Sequence, residues 1–200
     1  MITEELAKQA ESERQKGENA NLPVMRRRTA AFLAELVAAE KPRQMLEIGT
    51  CLGVSALTAL AAGAEHLTTV EKDEERFESS RLTFRRCGVT SRVTQIMGDC
   101  NEVLRYLNGN EYDFILLDGP KSTLLVQYEE SMRLLQKGGV IFVDDVRYHG
   151  MIQGTDAKHK QRTIIVGMRN FLERIQTDER VVVQIFDMED GVAVIRKVVE

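Results

Sequence analysis

A chain of 200 residues, 43% hydrophobic and 29% charged, suits one globular domain with a substantial core and excludes a disordered or fibrous chain. Its net charge of −4 gives the molecule as a whole no attraction for nucleic acid or an anionic membrane, so such a partner would need a local basic patch. No apolar run approaches the ~20 residues that span a bilayer, and the polar, acidic first residues do not resemble a signal peptide, so a cytoplasmic protein is expected.

In chain order, about Thr3 to Lys16 reads as an exposed helix broken by Gly17 with the Asn19 to Pro23 segment, and Arg26 to Ala39 as a second helix with Phe32, Leu33, Leu36 and Val37 on one face. From Met45 the period changes. Short apolar runs at Met45–Ile48, Leu67–Val70, Val93–Met97, Phe114–Leu117 and Val140–Val143 are each followed by a longer helix-like stretch. That alternation predicts an α/β fold, a parallel sheet with helices on both faces. Arg147 to Arg162 carries the weakest pattern and reads as a mobile loop. The final runs, Val181–Phe186 and Val192–Val198, are joined only by DMEDG, which permits a hairpin but no helical crossover. One domain results, with N-terminal helices over 1–40, a ligand-binding core over 45–145, a substrate loop over 146–162 and a terminal hairpin over 181–198. Cys51, Cys87 and Cys100 are odd in number and lack C-x-x-C spacing, which suggests reduced thiols and neither a disulfide framework nor a zinc site.

The first run ends in a glycine-punctuated turn, MLEIGTCLGVSAL. A strand that stops at Gly49, bends through Thr50 to Gly53 and opens a helix at Val54 leaves N–H groups for a ligand. The turn lacks the G-x-G-x-x-G spacing of a dinucleotide site, which counts against NAD or FAD. Glu71, 18 positions after Gly53, closes the second run, where an acid could accept both ribose hydroxyls of a nucleoside. Gly98-Asp99 closes the third, at the edge where an adenine would lie. As simpler alternatives, Glu71 begins an acidic helix cap and Asp99 is an N-cap.

LEIGTCLGVSAL, VEKDEE, MGDC, LLDGPK and VDDV, in this order and spacing, resemble the S-adenosylmethionine-dependent O-methyltransferases of family 3, the catechol O-methyltransferase-like group. The resemblance runs from about Asn19 to the C-terminus. It implies a Rossmann-like seven-stranded methyltransferase sheet, mostly parallel with an antiparallel last strand. It also implies a cofactor set of Met25, Glu47, Gly49, Thr50, Gly53, Ser55, Glu71, Lys72, Gly98, Asp99, Cys100 and Asp118. Within it Glu47, Gly49 and Ser55 lie around the methionine end, Glu71 on the ribose, and Asp99 with Cys100 near the adenine.

Asp118 closes the fourth run and Asp144 with Asp145 the fifth. If those strands are neighbours, their ends lie ~5 Å apart and the carboxylates can share an ion. Three oxygen ligands suit a hard cation such as Mg²⁺, with Mn²⁺ or Ca²⁺ as alternatives. The resembling family usually has Asp-Asn here, so Asp145 is a departure that adds a negative charge. Lys121 matches the family's catalytic lysine in D-x-x-K, and a divalent cation and a sulfonium beside it would lower its pKa and make it a general base. Asp118 and Lys121 are therefore the catalytic candidates.

Chelation demands vicinal oxygens, offered by a catechol or by a 5-hydroxyuracil. The loop residues Arg147, Lys158, Lys160 and Arg162 against Asp156 carry a local charge of 4 − 1 = +3, and Arg26, Arg27 and Arg28 form a second basic cluster; either could hold phosphates. KHKQRTIIVGMRNFLE and MEDGVAV resemble the bacterial branch that methylates 5-hydroxyuridine in tRNA, which makes tRNA the favoured acceptor. A small catechol or hydroxycinnamoyl-type acceptor is the alternative. Arg147, Tyr148 and His149 are candidate substrate contacts, with Tyr148 the one obvious stacking aromatic in the loop. A dehydrogenase and a noncatalytic cofactor-binding protein are remote readings. The resemblance further implies a homodimer.

Overall fold

The computed structural model describes residues 2–147 and 159–199. The elements run α1 (Ile2–Asn19), α2 (Arg27–Glu40), β1 (Gln44–Ile48), α3 (Val54–Ala62), β2 (His66–Glu71), α4 (Glu74–Arg86), β3 (Val93–Met97), α5 (Cys100–Tyr106), β4 (Tyr112–Leu117), α6 (Leu124–Leu134), β5 (Leu135–Val143), α7 (His159–Thr177), β6 (Val181–Phe186) and β7 (Val192–Lys197). They build a seven-stranded sheet in the order β3-β2-β1-β4-β5-β7-β6. Strands β1 to β5 are parallel, and β7 is antiparallel to both its neighbours, β5 and β6. Hence β6 points the same way as the parallel strands, and the turn that follows it returns to their carboxyl edge.

Side chains alternate between two cores because successive strand residues point to opposite faces. Phe114 and Leu116 of β4, with Val140 and Phe142 of β5, pack with α1 to α4. Ile115, Leu117, Ile141 and Val143 pack with α5, α6 and α7 around Tyr128 and Phe171. Both faces of the central strands are covered, which is why their runs read as continuously apolar. Phe114 and Phe142 are wholly buried; truncating either to Ala costs about 3–5 kcal/mol.

Four expectations about element limits and exposure need correction. Helix α1 continues through Gly17 to Asn19, since a Cβ at Gly17 would lie 2.3 Å from Val24 Cγ1 and the glycine admits that neighbour. It is also half-buried rather than exposed: Leu6, Ala10, Glu13 and Arg14 are covered. Strand β5 starts at Leu135, upstream of the expected Val140, because Gly138 and Gly139 sit in a register irregularity and do not end the strand. Helix α7 starts at His159, so residues 159–162 are helical where a loop was expected. Its first turn holds no acidic residue, so the start left no sequence signal. Tyr148, His149, Asp156 and Lys158 lie outside the described residues.

Candidate active site

The carboxyl ends of the strands converge, as an open α/β sheet requires. At the end of β1 the chain turns at Gly49, with φ 98°. A Cβ there would lie 2.6 Å from the carbonyl oxygen of Asp118, and one at Gly53 would lie 2.8 Å from the Phe84 ring. Both glycines are thus required by close packing of β1 on β4 and of α3 on α4. Behind the turn, Glu47 is fully buried; it accepts hydrogen bonds from the Ser55 and Thr69 hydroxyls, each at 2.5 Å. Thr50 and Thr69 share a further hydroxyl contact of 2.6 Å. Burial pushes the Glu47 carboxyl up to about 7, against the two hydroxyl donors.

Glu71 ties the neighbouring strand to the same turn. One of its oxygens accepts from Cys51 N at 2.8 Å, the other from Lys72 N at 2.8 Å and Asp73 N at 2.9 Å. Asp99 is the N-cap of α5, accepting from Asn101 N at 3.0 Å, and pairs with Lys72 at 2.7 Å. The Lys72 hydrogen bond leads the contacts that hold the Asp99 carboxyl below its usual range. Gly49, Glu71, Lys72, Gly98, Asp99 and Cys100 together line a crevice of about 320 Å³. Thr50, Gly53, Ser55 and Glu47 brace it from behind. Burial pushes the Cys51 and Cys100 thiols up to about 11, which makes them apolar neighbours and not nucleophiles.

A second cavity, of about 480 Å³, opens on the other side of the Gly49–Asp118 contact. Its floor is Asp118, Asp144 and Asp145, whose carboxylates can bring one oxygen each within 4.8 Å of one another. Parallel pairing of β4 with β5 places them so, with Asp144 N donating to Leu117 O at 3.2 Å. Asp145 is left-handed, φ 57°, and its N–H donates to Asp144 Oδ1 at 2.7 Å. Burial, then the charges of Asp118 and Asp145, push the Asp144 carboxyl up to about 8. Asp118 is also raised, by burial first, against Lys121. Three hard oxygen donors pressed together at this cost fit a divalent cation.

Lys121 Nζ donates to Asp118 Oδ1 at 3.2 Å and to the Asp144 carbonyl at 2.9 Å. With the chain's own groups alone its pKa lies above the usual lysine value: burial, the largest influence, favours the neutral amine, but Asp118, Asp145 and Asp144 together outweigh it, and the expected lowering belongs to the site with cation and sulfonium bound. The expectation counted charges from bound groups, whereas the chain's own charges act the other way. Met25 is buried and lines the second cavity, not the Glu71 crevice.

Sequence reading missed Gly119 and Thr123, which line the crevice, and Glu18, Leu22 and Asp190, which line the acid cavity. Asp190 had a readable signal, because a hairpin whose second strand alone is reversed must place its turn at this edge. Three of the basic residues taken for phosphate ligands are engaged: Arg26 with Asp190, Arg27 with Glu11, and Arg147 with Asp187.

A family model described as O-methyltransferase matches residues 2–198. The chain belongs to the O-methyltransferase family. Among relatives of this O-methyltransferase, the Dictyostelium discoideum protein named "Probable caffeoyl-CoA O-methyltransferase 2" is 27% identical over 174 residues, 84% of this chain and 74% of the relative. A catechol O-methyltransferase of Mycobacterium tuberculosis is 32% identical over 139 residues, 66% of this chain and 63% of the relative. The crystal structure of an O-methyltransferase from Bacillus cereus in complex with SAH superposes with a TM-score of 0.84 at 25% identity, covering 95% of this chain and 91% of that one. Among the described residues no helix is long and apolar enough to cross a membrane.

Proposed function

We propose that this O-methyltransferase moves the methyl group of S-adenosylmethionine to a hydroxyl flanked by a second oxygen, on a small catechol-type acceptor. The observation that carries the reading is the shared wall: Gly119 lines the Glu71 crevice, and its neighbour Asp118 lines the acid cavity. A donor held on one side of that peptide and an acceptor on the other meet across it. When bound, S-adenosylmethionine supplies an electrophilic methyl group, and a divalent cation held by Asp118, Asp144 and Asp145 supplies Lewis acidity that favours the acceptor's oxyanion.

The chain's own residues have separable tasks. Glu71, Asp99 and the Gly49 turn hold the donor, with Glu47, Ser55 and Thr69 keeping the turn in place. Met25 and Leu22 line the cavity that holds the acids and give it apolar wall. Lys121 holds a proton at Nζ among the three acids and is the group that exchanges it with the acceptor hydroxyl; were those acids to hold a divalent cation, the influence that raises its pKa would be offset.

The small-acceptor reading is supported by the cavity's size, by the relatives' names and by the internal pairing of Arg26, Arg27 and Arg147. A second reading, 5-hydroxyuridine in tRNA, is favoured by Arg26 on the cavity rim with Arg27 and Arg28 directly following. Methylation of a simple catechol and of undermodified tRNA, side by side with Mg²⁺ and with chelator, separates the two. Transfer to catechol only, lost with chelator, is the expected result; transfer that survives the chelator rules out the metal-assisted chemistry.

A further inference from the structure

The turn between β6 and β7 reaches across the acid cavity to the other end of the sequence. On one side it grips the segment behind the acids: Val146 N donates to Gly191 O at 3.0 Å and Arg147 N to Asp190 O at 2.8 Å. On the other it grips the start of α2. Glu189 Oε2 accepts from Thr29 N at 2.9 Å and Thr29 Oγ1 at 2.6 Å, and Oε1 accepts from Arg28 N at 3.3 Å. Asp190 pairs with Arg26 and is itself buried.

These contacts answer a need in α2. Its N-cap residue, Arg26, offers no side-chain cap, so the first N–H groups of the helix would otherwise lack partners. Glu189, 160 residues further on, supplies the missing acceptor. It does so from a left-handed backbone, φ 46°, which a non-glycine residue adopts only when its surroundings hold it there. The residues just before that cap, Leu22, Pro23, Val24, Met25 and Arg26, form the cavity wall facing Asp118, Asp144 and Asp145.

We propose that Glu189 is a positioning residue for the methyl acceptor: by capping α2 from the β6–β7 turn, it fixes Leu22 to Arg26 as the acceptor's outer wall at a set distance from the acids. Asp190 completes the clamp by aligning Arg26 on the rim. The inference rests on the acceptor occupying the acid cavity, as proposed above. Among the described residues none of the clamp lines the Glu71 crevice, so the donor should not register its loss.

The test compares wild-type protein with Glu189→Ala, Glu189→Gln and, as a control for general loosening, Tyr128→Phe, which loses the buried bond to Asp178. Acceptor KM and kcat are measured with catechol, Mg²⁺ and saturating S-adenosylmethionine. Donor Kd is measured by calorimetry and amide exchange by mass spectrometry. Glu189→Ala should raise acceptor KM about tenfold, the scale of a lost cap, with kcat and donor Kd within about twofold. Exchange should rise over residues 22–30 and not over 66–72. Glu189→Gln, which keeps one acceptor oxygen, should recover part of both effects, and Tyr128→Phe should show neither. An unchanged KM in Glu189→Ala, unchanged exchange over 22–30, an equal loss of donor affinity, or the same KM shift in Tyr128→Phe each overturns the positioning role. Absence of catechol methylation by the wild-type protein instead overturns the acceptor reading beneath it, and leaves the exchange measurement to decide whether Glu189 holds the wall.

Discussion

The two halves of the sheet's carboxyl edge treat their carboxylates in opposite ways. At the ends of β1, β2 and β3, each acid has donors from the protein: Glu47 has two hydroxyls, Glu71 three backbone N–H groups, and Asp99 an N–H and the Lys72 ammonium. At the ends of β4 and β5, Asp118, Asp144 and Asp145 face one another, with the Lys121 ammonium on Asp118 and one backbone N–H, from Asp145, on Asp144. The first half is an organised cradle whose geometry needs no further charge. The second carries an electrostatic cost that a cation relieves, which is why donor binding and chemistry should separate under mutation.

The largest expected break falls at Lys121. Lys121→Ala should lower turnover about 10²- to 10⁴-fold, the usual worth of a positioned acid–base group, and leave S-adenosylmethionine affinity within about twofold. Single-turnover kinetics and calorimetry on the same preparation decide it; equal losses in both would move Lys121 into the cradle.

Next comes the cation. Mg²⁺ at about a hundred times its Kd should stabilise the wild-type protein by about 2.7 kcal/mol, read as a rise in melting temperature. Asp144→Asn should abolish that response while raising the melting temperature of the metal-free protein at pH 8, because it removes a carboxyl whose folded pKa stands near 8. A Mg²⁺ response that persists in Asp144→Asn contradicts the assignment. The cradle supplies the converse: Glu71→Gln removes the charge that receives Cys51 N, Lys72 N and Asp73 N, and should weaken donor binding about tenfold with the Mg²⁺ response intact.

The contrast also explains what could be read from the sequence. Strand ends are marked by chemistry at fixed offsets, so Glu71, Asp99, Asp118 and Asp144 could be placed on one edge before any coordinates, and β4 beside β5 brings the acids together as expected. Gly49 and Gly53 were legible as a turn, but the reason for them was not, since it lies in the Asp118 carbonyl and the Phe84 ring, 69 and 31 residues further on respectively. Glu189 was invisible for the same cause: its partners, Arg28 and Thr29, lie more than 150 residues away. The start of α7 was hidden because its first turn lacks the acids with which a helix usually begins.

The last probe of the cradle is one of pH. Glu47 titrates near 7 in the folded protein because burial penalises its charge, against about 4.3 for an unfolded glutamate. A folded value raised above the unfolded one means the native state binds the extra proton. Its stability is therefore fully present below about pH 4.3, falls as pH rises to about 7, and is flat beyond. The Ser55 and Thr69 hydroxyls, which favour the anion, already act in that value, so the loss should be about 3–4 kcal/mol across that window. Asp144 titrates in an overlapping range, so the measurement belongs in saturating Mg²⁺, which holds the three aspartates ionised and removes their contribution to the slope. Under those conditions Glu47→Gln should flatten the melting-temperature profile between pH 5 and 7, whereas wild-type protein should still decline. A profile that stays steep in Glu47→Gln with Mg²⁺ present would place the titration outside the cradle and remove the distinction between its satisfied acids and the strained acids beside them.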